Sequence, residues 1–226
     1  MYVPVYKEAI SEIENYGKRL DSSLKGERYL LCRQRRLLHV FGATVLRASS
    51  APVVAAARLA VYKEDGGPTI VKLPRVGKNG EIIDQLKIRT MEKGSENEVK
   101  FLEKKDPEDP RITDVGKKLR RYSIDELTQL KNVLKGEMSL INTRPVNEEE
   151  FRHYSSPGVG GDAFANGYIL DAPGLTGPDQ IMGRGTLTPY ERAQLALEYF
   201  EEASFKRDID ILRKTVSVVW SQEGAH

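Results

Sequence analysis

The stretch whose reading decides the fold is Arg120–Pro145, RRYSIDELTQLKNVLKGEMSLINTRP. Ser123, with Glu126 three residues later, has the form of a capping box and predicts a helix start. Ile124, Leu127, Leu130 and Leu134 follow at helical spacing, and Gly136 supplies the stop. The short apolar run after Gly136 predicts a strand, and Thr143-Arg144-Pro145 closes the unit with a guanidinium beside a rigid proline.

Two readings of Asp125 and Glu126 are open at this point. Acidic residues in a first helical turn commonly complement the helix dipole and do nothing else. The same position, with Arg120 nearby, keeps a carboxylate ionised and suits it to metal binding or nucleophilic attack. A group that attacks phosphorus also needs cations to neutralise the phosphate oxygens. Lys87, Arg89, Arg120 and Arg144 are the candidates for that task.

Upstream, Thr69–Leu73 reads as a strand, Lys78-Asn79-Gly80-Glu81 as a hairpin turn, and Ile82–Met91 as a second strand. Alternation throws Lys87 and Arg89 onto one face, which is either a functional surface or a solvated one. Residues 92–111 are charged and proline-punctuated and read as a surface loop. Residues 1–30 are polar, with Ile10, Ile13 and Tyr16 at loosely helical spacing, which predicts a peripheral amphipathic helix. Their polarity gives no sign of a cleavable signal peptide.

Between these lies LCRQRRLLHVFGATVLRASSAPVVAAARLAVY, residues 31–62. The run from Leu37 to Val61 is mostly apolar but is interrupted by Arg47, Pro52 and Arg58. A spanning helix needs about 20 predominantly apolar residues with few charges. Proline in a helix interior removes a hydrogen bond and kinks the axis, and Ser49 and Ser50 could re-satisfy the freed carbonyls. Each half would then be only about 15 Å long, against a hydrocarbon core of roughly 30 Å. Arg33, Arg35 and Arg36 could hold the start of the helix at an anionic surface. The segment is therefore either a bent helix dipping into one leaflet or a kinked core helix.

Downstream, residues 147–172 are acidic, then glycine-rich, and read as a mobile loop. Pro173-Gly174-Leu175-Thr176-Gly177 reads as a tight turn leading to Gln180 and Gly183-Arg184. Its glycines would let the backbone approach a ligand, and Arg184 could meet an anionic group. A last helix is predicted from about Pro189 to Trp220, with a break near Ala203-Ser204.

The bulk properties bound the answer. A chain of 226 residues, 30% charged and 39% hydrophobic, can bury a core and is not disordered. A net charge of +2 offers no case for nucleic-acid binding. The single cysteine, Cys32, rules out an intramolecular disulfide and fits a reducing compartment.

Three separated blocks then converge. Leu86-Lys87-Ile88-Arg89-Thr90-Met91, SIDELTQLKNVLKGEMSL with Thr143-Arg144-Pro145, and PGLTG with Gln180 and Gly183-Arg184 resemble the bacterial sugar transferases of the monotopic phosphoglycosyl transferase superfamily. The resemblance covers roughly residues 33–220. It implies an α/β (α+β) fold: a small mixed catalytic domain (63–226), a re-entrant membrane helix (35–62) kinked at Ser50 and Pro52, and a polar extension (1–34). It also implies a monotopic enzyme at the cytoplasmic face of the bacterial inner membrane. The implied reaction moves a sugar 1-phosphate from a nucleotide diphosphate sugar, a UDP-sugar by expectation, to polyprenyl phosphate. Asp125 becomes the nucleophile and a magnesium contact, with Glu126 its partner. Arg120 and Arg144 become phosphate clamps supported by Lys87 or Arg89, and Gln180 and Arg184 lie near the nucleotide or sugar.

The chain departs from the family's pattern at four places. Asn142-Thr143-Arg144-Pro145 replaces Gly-Pro-Arg-Pro, Pro178 follows the PGLTG turn in place of tryptophan, His39 replaces an aspartate, and Ala196 replaces an acid before Tyr199. These departures keep two other readings in view: a catalytically silent membrane scaffold of a glycan assembly complex, and a soluble nucleotide-sugar-binding protein. Donor sugar, pathway and oligomeric state are not legible in the sequence.

Overall fold

The computed structural model describes residues 26–95, 109–183 and 187–221. The predicted N-terminal amphipathic helix, most of the charged loop at 92–111, and Arg184 lie outside them.

The described chain opens with a single turn, α1 (Glu27–Leu30), and a 33-residue helix, α2 (Arg33–Asp65). An antiparallel hairpin follows, β1 (Ile70–Val76) and β2 (Ile82–Ile88), paired from Ile70 opposite Ile88 to Val76 opposite Ile82. Next come α3 (Asp114–Arg121), a 3-10 turn at Ile124–Gln129, α4 (Leu130–Lys135) and β3 (Ser139–Ile141). Two helices, α5 (Glu148–Tyr154) and α6 (Gly161–Leu170), cross over to β4 (Gly174–Thr176), which pairs parallel with β3. The chain ends with α7 (Pro178–Gly183), α8 (Pro189–Glu202) and α9 (Phe205–Ser221). The α+β expectation holds, as does the break between the last two helices at Ala203-Ser204.

Several local expectations do not hold. Ser123 is no cap: it sits in the left-handed region at φ 53 and makes no side-chain capping bond. The chain turns sharply there, directly after α3, and starts with a 3-10 turn before widening into α4. Gly136 does stop that helix, at φ 91, a conformation glycine adopts without steric cost. Residues 147–172 are mostly helical rather than a mobile loop. Asn147 and Glu150 make a reciprocal capping box at the start of α5, satisfying two end donors that an unstructured reading leaves unassigned. The PGLTG segment is a buried strand, not a turn. A Cβ on Gly174 would stand 2.2 Å from Asn142 N, and one on Gly177 would stand 2.0 Å from Asn142 O. The backbone these glycines let in is that of Asn142.

The main core joins Leu130, Val133, Met138 and Ile141 to Phe151, Phe164, Tyr168, Tyr199, Phe200 and Ile211. A smaller cluster holds Ala57, Val61, Ile88 and Leu119. Helix α2 belongs to both. Its N-terminal part buries Arg35, His39 and Ala43, and its C-terminal part buries Ala57 and Val61. Arg35 donates to Asp171 (2.5 Å), to the Ile141 carbonyl (2.5 Å) and to Asp208 (3.2 Å), and Arg36 donates to the Val133 carbonyl (2.6 Å). The arginine cluster that seemed suited to an anionic surface is divided: Arg35 and Arg36 are spent on anchoring α2 to the domain.

Between those anchors, no residue from 44 to 56 is buried. The run continues through Pro52 as one helix, and of the two serines it is Ser49 whose hydroxyl donates to a carbonyl, that of Leu46 (3.1 Å). Ser50 lines the space between α2 and the domain. Leu37, Phe41, Val45, Val53 and Leu59 are exposed large apolar side chains. By length and composition α2 could cross a membrane, and only 11% of its most apolar window is buried, unlike a core helix.

Candidate active site

Strand β2 has β1 on one side only, so its other edge needs partners. They come from side chains of the 3-10 turn and α4. Asn132 accepts from Leu86 N (3.1 Å) and donates to the Asp84 carbonyl (2.7 Å), acting as a substitute strand. Thr128 donates to the Leu86 carbonyl (3.1 Å), and Gln85 donates to Gln129 Oε1 (3.1 Å). This seam fixes the end of β2 against the turn that carries the two acids.

The result is a compact charge cluster. Lys87 Nζ is 2.9 Å from Asp125 Oδ2 and 3.6 Å from Glu126 Oε1. Arg144 Nη2 is 3.8 Å from the same Glu126 oxygen. Asp125 is only 2% exposed, whereas the side chains of Lys87, Glu126 and Arg144 keep about a fifth to a quarter of their surface open. Lys87 is the ion-pair partner of Asp125 Oδ2, which is otherwise buried without a hydrogen-bond donor.

Arg120 reaches the cluster from α3, whose start is capped by Thr113 accepting from Gly116 N (3.0 Å). Its Nε donates to Thr90 Oγ1 at 2.9 Å. Burial lowers its pKa, and the charges of Asp125 and Asp109 offset this in part. Asp109 is held by Arg111 (2.7 Å), whose hydrogen bonds depress its carboxyl to about 2.

Arg144 is aimed by the segment after β3. Asn142 donates from Nδ2 to the Ala172 carbonyl (2.9 Å), accepts from Thr143 N (2.8 Å), and bonds through its own N–H to the Thr176 carbonyl (2.9 Å). Tyr168 OH accepts from Val146 N (3.0 Å) and donates to the Val76 carbonyl (3.0 Å), tying the Arg144 segment to β1. Burial works against the Arg144 cation. The carboxylates of Glu126, Asp179, Glu150 and Asp125 outweigh it and hold the pKa above the ordinary arginine value.

Arg89 requires a correction. The strand ends at Ile88, and Arg89 turns away to the C-terminus of α2, where a cation is favoured. It is 2% exposed, pairs through both terminal nitrogens with Asp65, and donates to the carbonyls of Pro68 (2.7 Å) and Met91 (3.1 Å). Through these bonds it holds the hairpin to the helix. Gln180 is half-buried on α7 and stands apart from the residues lining the pocket beside Arg144; its neighbour Asp179 lines that pocket.

Sequence reasoning missed Asn132, Tyr168 and Asp179. Asn132 had a signal, since it is a polar residue at a core-facing place among Leu130, Val133 and Leu134. Asp179 had none beyond its place next to Gln180.

Chemically, a buried carboxylate paired to a lysine and flanked by a second acid and two arginines can attack or hold a phosphoryl group. Among the described residues no group of three or more acidic, histidine or cysteine side chains could hold a metal alone. Asp125 with Glu126 fits a magnesium ion that takes its remaining ligands from substrate phosphates and water.

A model of the bacterial sugar transferase family matches residues 31–222. The galactosyl transferase CpsE of Streptococcus agalactiae is 35% identical over 97% of this chain and 49% of its own length. An uncharacterized sugar transferase of Haemophilus influenzae is 38% identical over 73% of this chain and 36% of its own. The exopolysaccharide production protein ExoY of Rhizobium meliloti is 35% identical over 85% of this chain and 88% of its own. The chain thus spans about a third to a half of some curated relatives and most of another. The family's matched span contains β2, the acid-bearing turn and the Arg144 segment, so the cluster lies inside the shared region. The chain belongs to the bacterial sugar transferase family.

Proposed function

We propose that this protein transfers a sugar 1-phosphate from a UDP-sugar to polyprenyl phosphate, releasing uridine monophosphate and starting the synthesis of a polysaccharide or glycoconjugate. The observation that carries this is the Lys87–Asp125–Glu126–Arg144 cluster. The names of relatives agree: one from Salmonella typhimurium is an undecaprenyl-phosphate galactose phosphotransferase, and one from Caulobacter vibrioides a UDP-glucose:undecaprenyl-phosphate glucose-1-phosphate transferase.

Asp125 Oδ2 attacks the sugar-bearing phosphorus of the donor. An Asp125 O–P bond forms, the bridging P–O bond breaks, and uridine monophosphate departs with the electron pair. Polyprenyl phosphate, already an anion near neutral pH, then attacks the same phosphorus. The O–P bond to Asp125 breaks, which restores the carboxylate and gives a polyprenyl diphosphate sugar. Splitting one difficult displacement into two is the usual advantage of a covalent route. Lys87 and Arg144 neutralise the phosphoryl oxygens, supported by Arg120, while Glu126 orients Arg144 and Lys87. A magnesium ion held by Asp125 with Glu126 would offset the diphosphate charge and so ease departure of the nucleotide.

The lipid acceptor calls for membrane association. A helix that crosses a bilayer puts its ends on opposite sides, yet both ends of α2 are buried against one domain while its apolar middle is exposed. That arrangement supports a monotopic protein whose helix enters one leaflet from the cytoplasmic side, where nucleotide sugars are found. The experiment is a screen of UDP-sugars with polyprenyl phosphate and magnesium, reading uridine monophosphate. Release with one donor that depends on the lipid supports the assignment. No release with any donor overturns it.

A further inference from the structure

Arg144 has a second side. Away from Glu126 it borders a pocket lined by Thr143, Glu150, Tyr154, Asp179 and Arg192. Asp179 is 9% exposed, and its carboxylate is held by main-chain N–H groups, including that of Arg144. Its Oδ1 is nevertheless buried with no hydrogen-bond partner. A buried acceptor left unmet is destabilising, and such atoms call for an explanation. Arg144 and Arg192 both act on this carboxylate, and Arg192 is itself bonded to the Tyr154 hydroxyl.

The pocket is partly open, and its water-accessible space is about 20 Å³, room for one water-sized group. Its lining selects the group. An ammonium would face two guanidinium ions, a carboxylate would face Asp179 and Glu150, and an acetamido group is too large. A hydroxyl is small, donates one hydrogen bond and accepts others.

We propose that this pocket is a specificity subsite for the donor sugar, in which one hydroxyl of an unmodified hexose donates to Asp179 Oδ1 and accepts from Arg192 or Arg144. Asp179 is thereby a specificity-determining residue, and the pocket favours hexoses over sugars bearing an acetamido group at that carbon. The inference rests on Arg144 binding the donor's phosphate, as proposed above.

The test compares kcat/KM for UDP-glucose and UDP-galactose with their singly deoxygenated analogues at C2, C3, C4 and C6, in the wild type, Asp179→Ala and Asp179→Asn. In the wild type one deoxy position should lose about 10- to 100-fold, the effect of removing a hydrogen bond to a charged group. In Asp179→Ala that ratio should collapse to within about threefold of unity, a within-variant comparison that a general loss of activity does not alter. Should Asp179→Ala fail to fold, Asp179→Asn keeps the volume and an acceptor for Arg144 N–H, and should reduce the ratio in part. An unchanged ratio in the variants overturns the subsite. So does a wild type with no single penalised position, which would leave only a water in the pocket. Absence of turnover by the wild type with every donor is a different result: it removes the transferase assignment itself, and this subsite with it.

Discussion

Lys87 Nζ stands 2.9 Å from Asp125 Oδ2, an ion pair between the last turn of a hairpin strand and a 3-10 turn brought against it by Asn132 and Thr128. The pair is what makes the cluster chemically asymmetric. One acid is buried and matched to a cation, and the other, Glu126, bridges towards Arg144.

Replacing Lys87 by Met leaves buried Asp125 without its cation, so stability should fall as well, and turnover is read per folded molecule. Turnover should fall by about 10²–10³-fold, the usual effect of removing one group that stabilises a developing oxyanion. Steady-state kinetics with circular dichroism as a fold control would check it. Activity within a few-fold of wild type would remove Lys87 from the phosphate-binding set.

Arg89 should behave in the opposite way. Arg89→Met removes the bonds of a buried guanidinium to Asp65, which is itself exposed, and to the carbonyls of Pro68 and Met91, a change that costs about 1–3 kcal/mol. The expected outcome is a marked fall in the thermal midpoint, with kcat per folded molecule little changed. A variant of normal stability and lost activity would restore Arg89 to the site.

Asn132→Leu keeps a similarly branched side chain and does not lower helix propensity, but it strips β2 of two edge partners. Two unmet backbone groups at about 1–3 kcal/mol each would unfold much of the hairpin's attachment. Hydrogen exchange should show the Asp84–Leu86 amides losing protection ahead of the main core, and activity should fall with it.

The residues that the structure brings together are legible through the family resemblance, because local pattern alone leaves Asp125 and Glu126 open between dipole complement and chemistry, and Lys87 open between a functional and a solvated face. Ser123 misled because its capping-box spacing is real, yet the chain must reverse directly after α3 and takes a left-handed residue to do it. Arg89 misled because alternation describes a strand, and this strand ends one residue earlier. Residues 147–172 looked loose because their glycines drew attention away from the Asn147–Glu150 box. Asp179, Tyr168 and the anchoring of both ends of α2 depend on packing between distant segments, which no local pattern carries.

The apolar face of α2 can be tested without touching the cluster. Leu37, Phe41 and Val45 are exposed and lie along one side of the helix. Phe41→Asp with Val45→Glu should release the protein from the membrane fraction, since a charge held in the bilayer costs about 2.5–3.5 kcal/mol. Fractionation without detergent reads it. Unchanged partition would mean that this face does not meet lipid.

The central claim is that Asp125 forms a bond to the donor's phosphorus, and mass spectrometry of the tryptic peptide Tyr122–Lys131 tests it most directly. The protein is mixed with its UDP-sugar and magnesium without lipid acceptor, quenched and digested. The account predicts that this peptide gains one sugar phosphate on Asp125, that polyprenyl phosphate removes it, and that Asp125→Asn neither gains it nor turns over. Normal turnover by Asp125→Asn, or an adduct on any other residue, would contradict it.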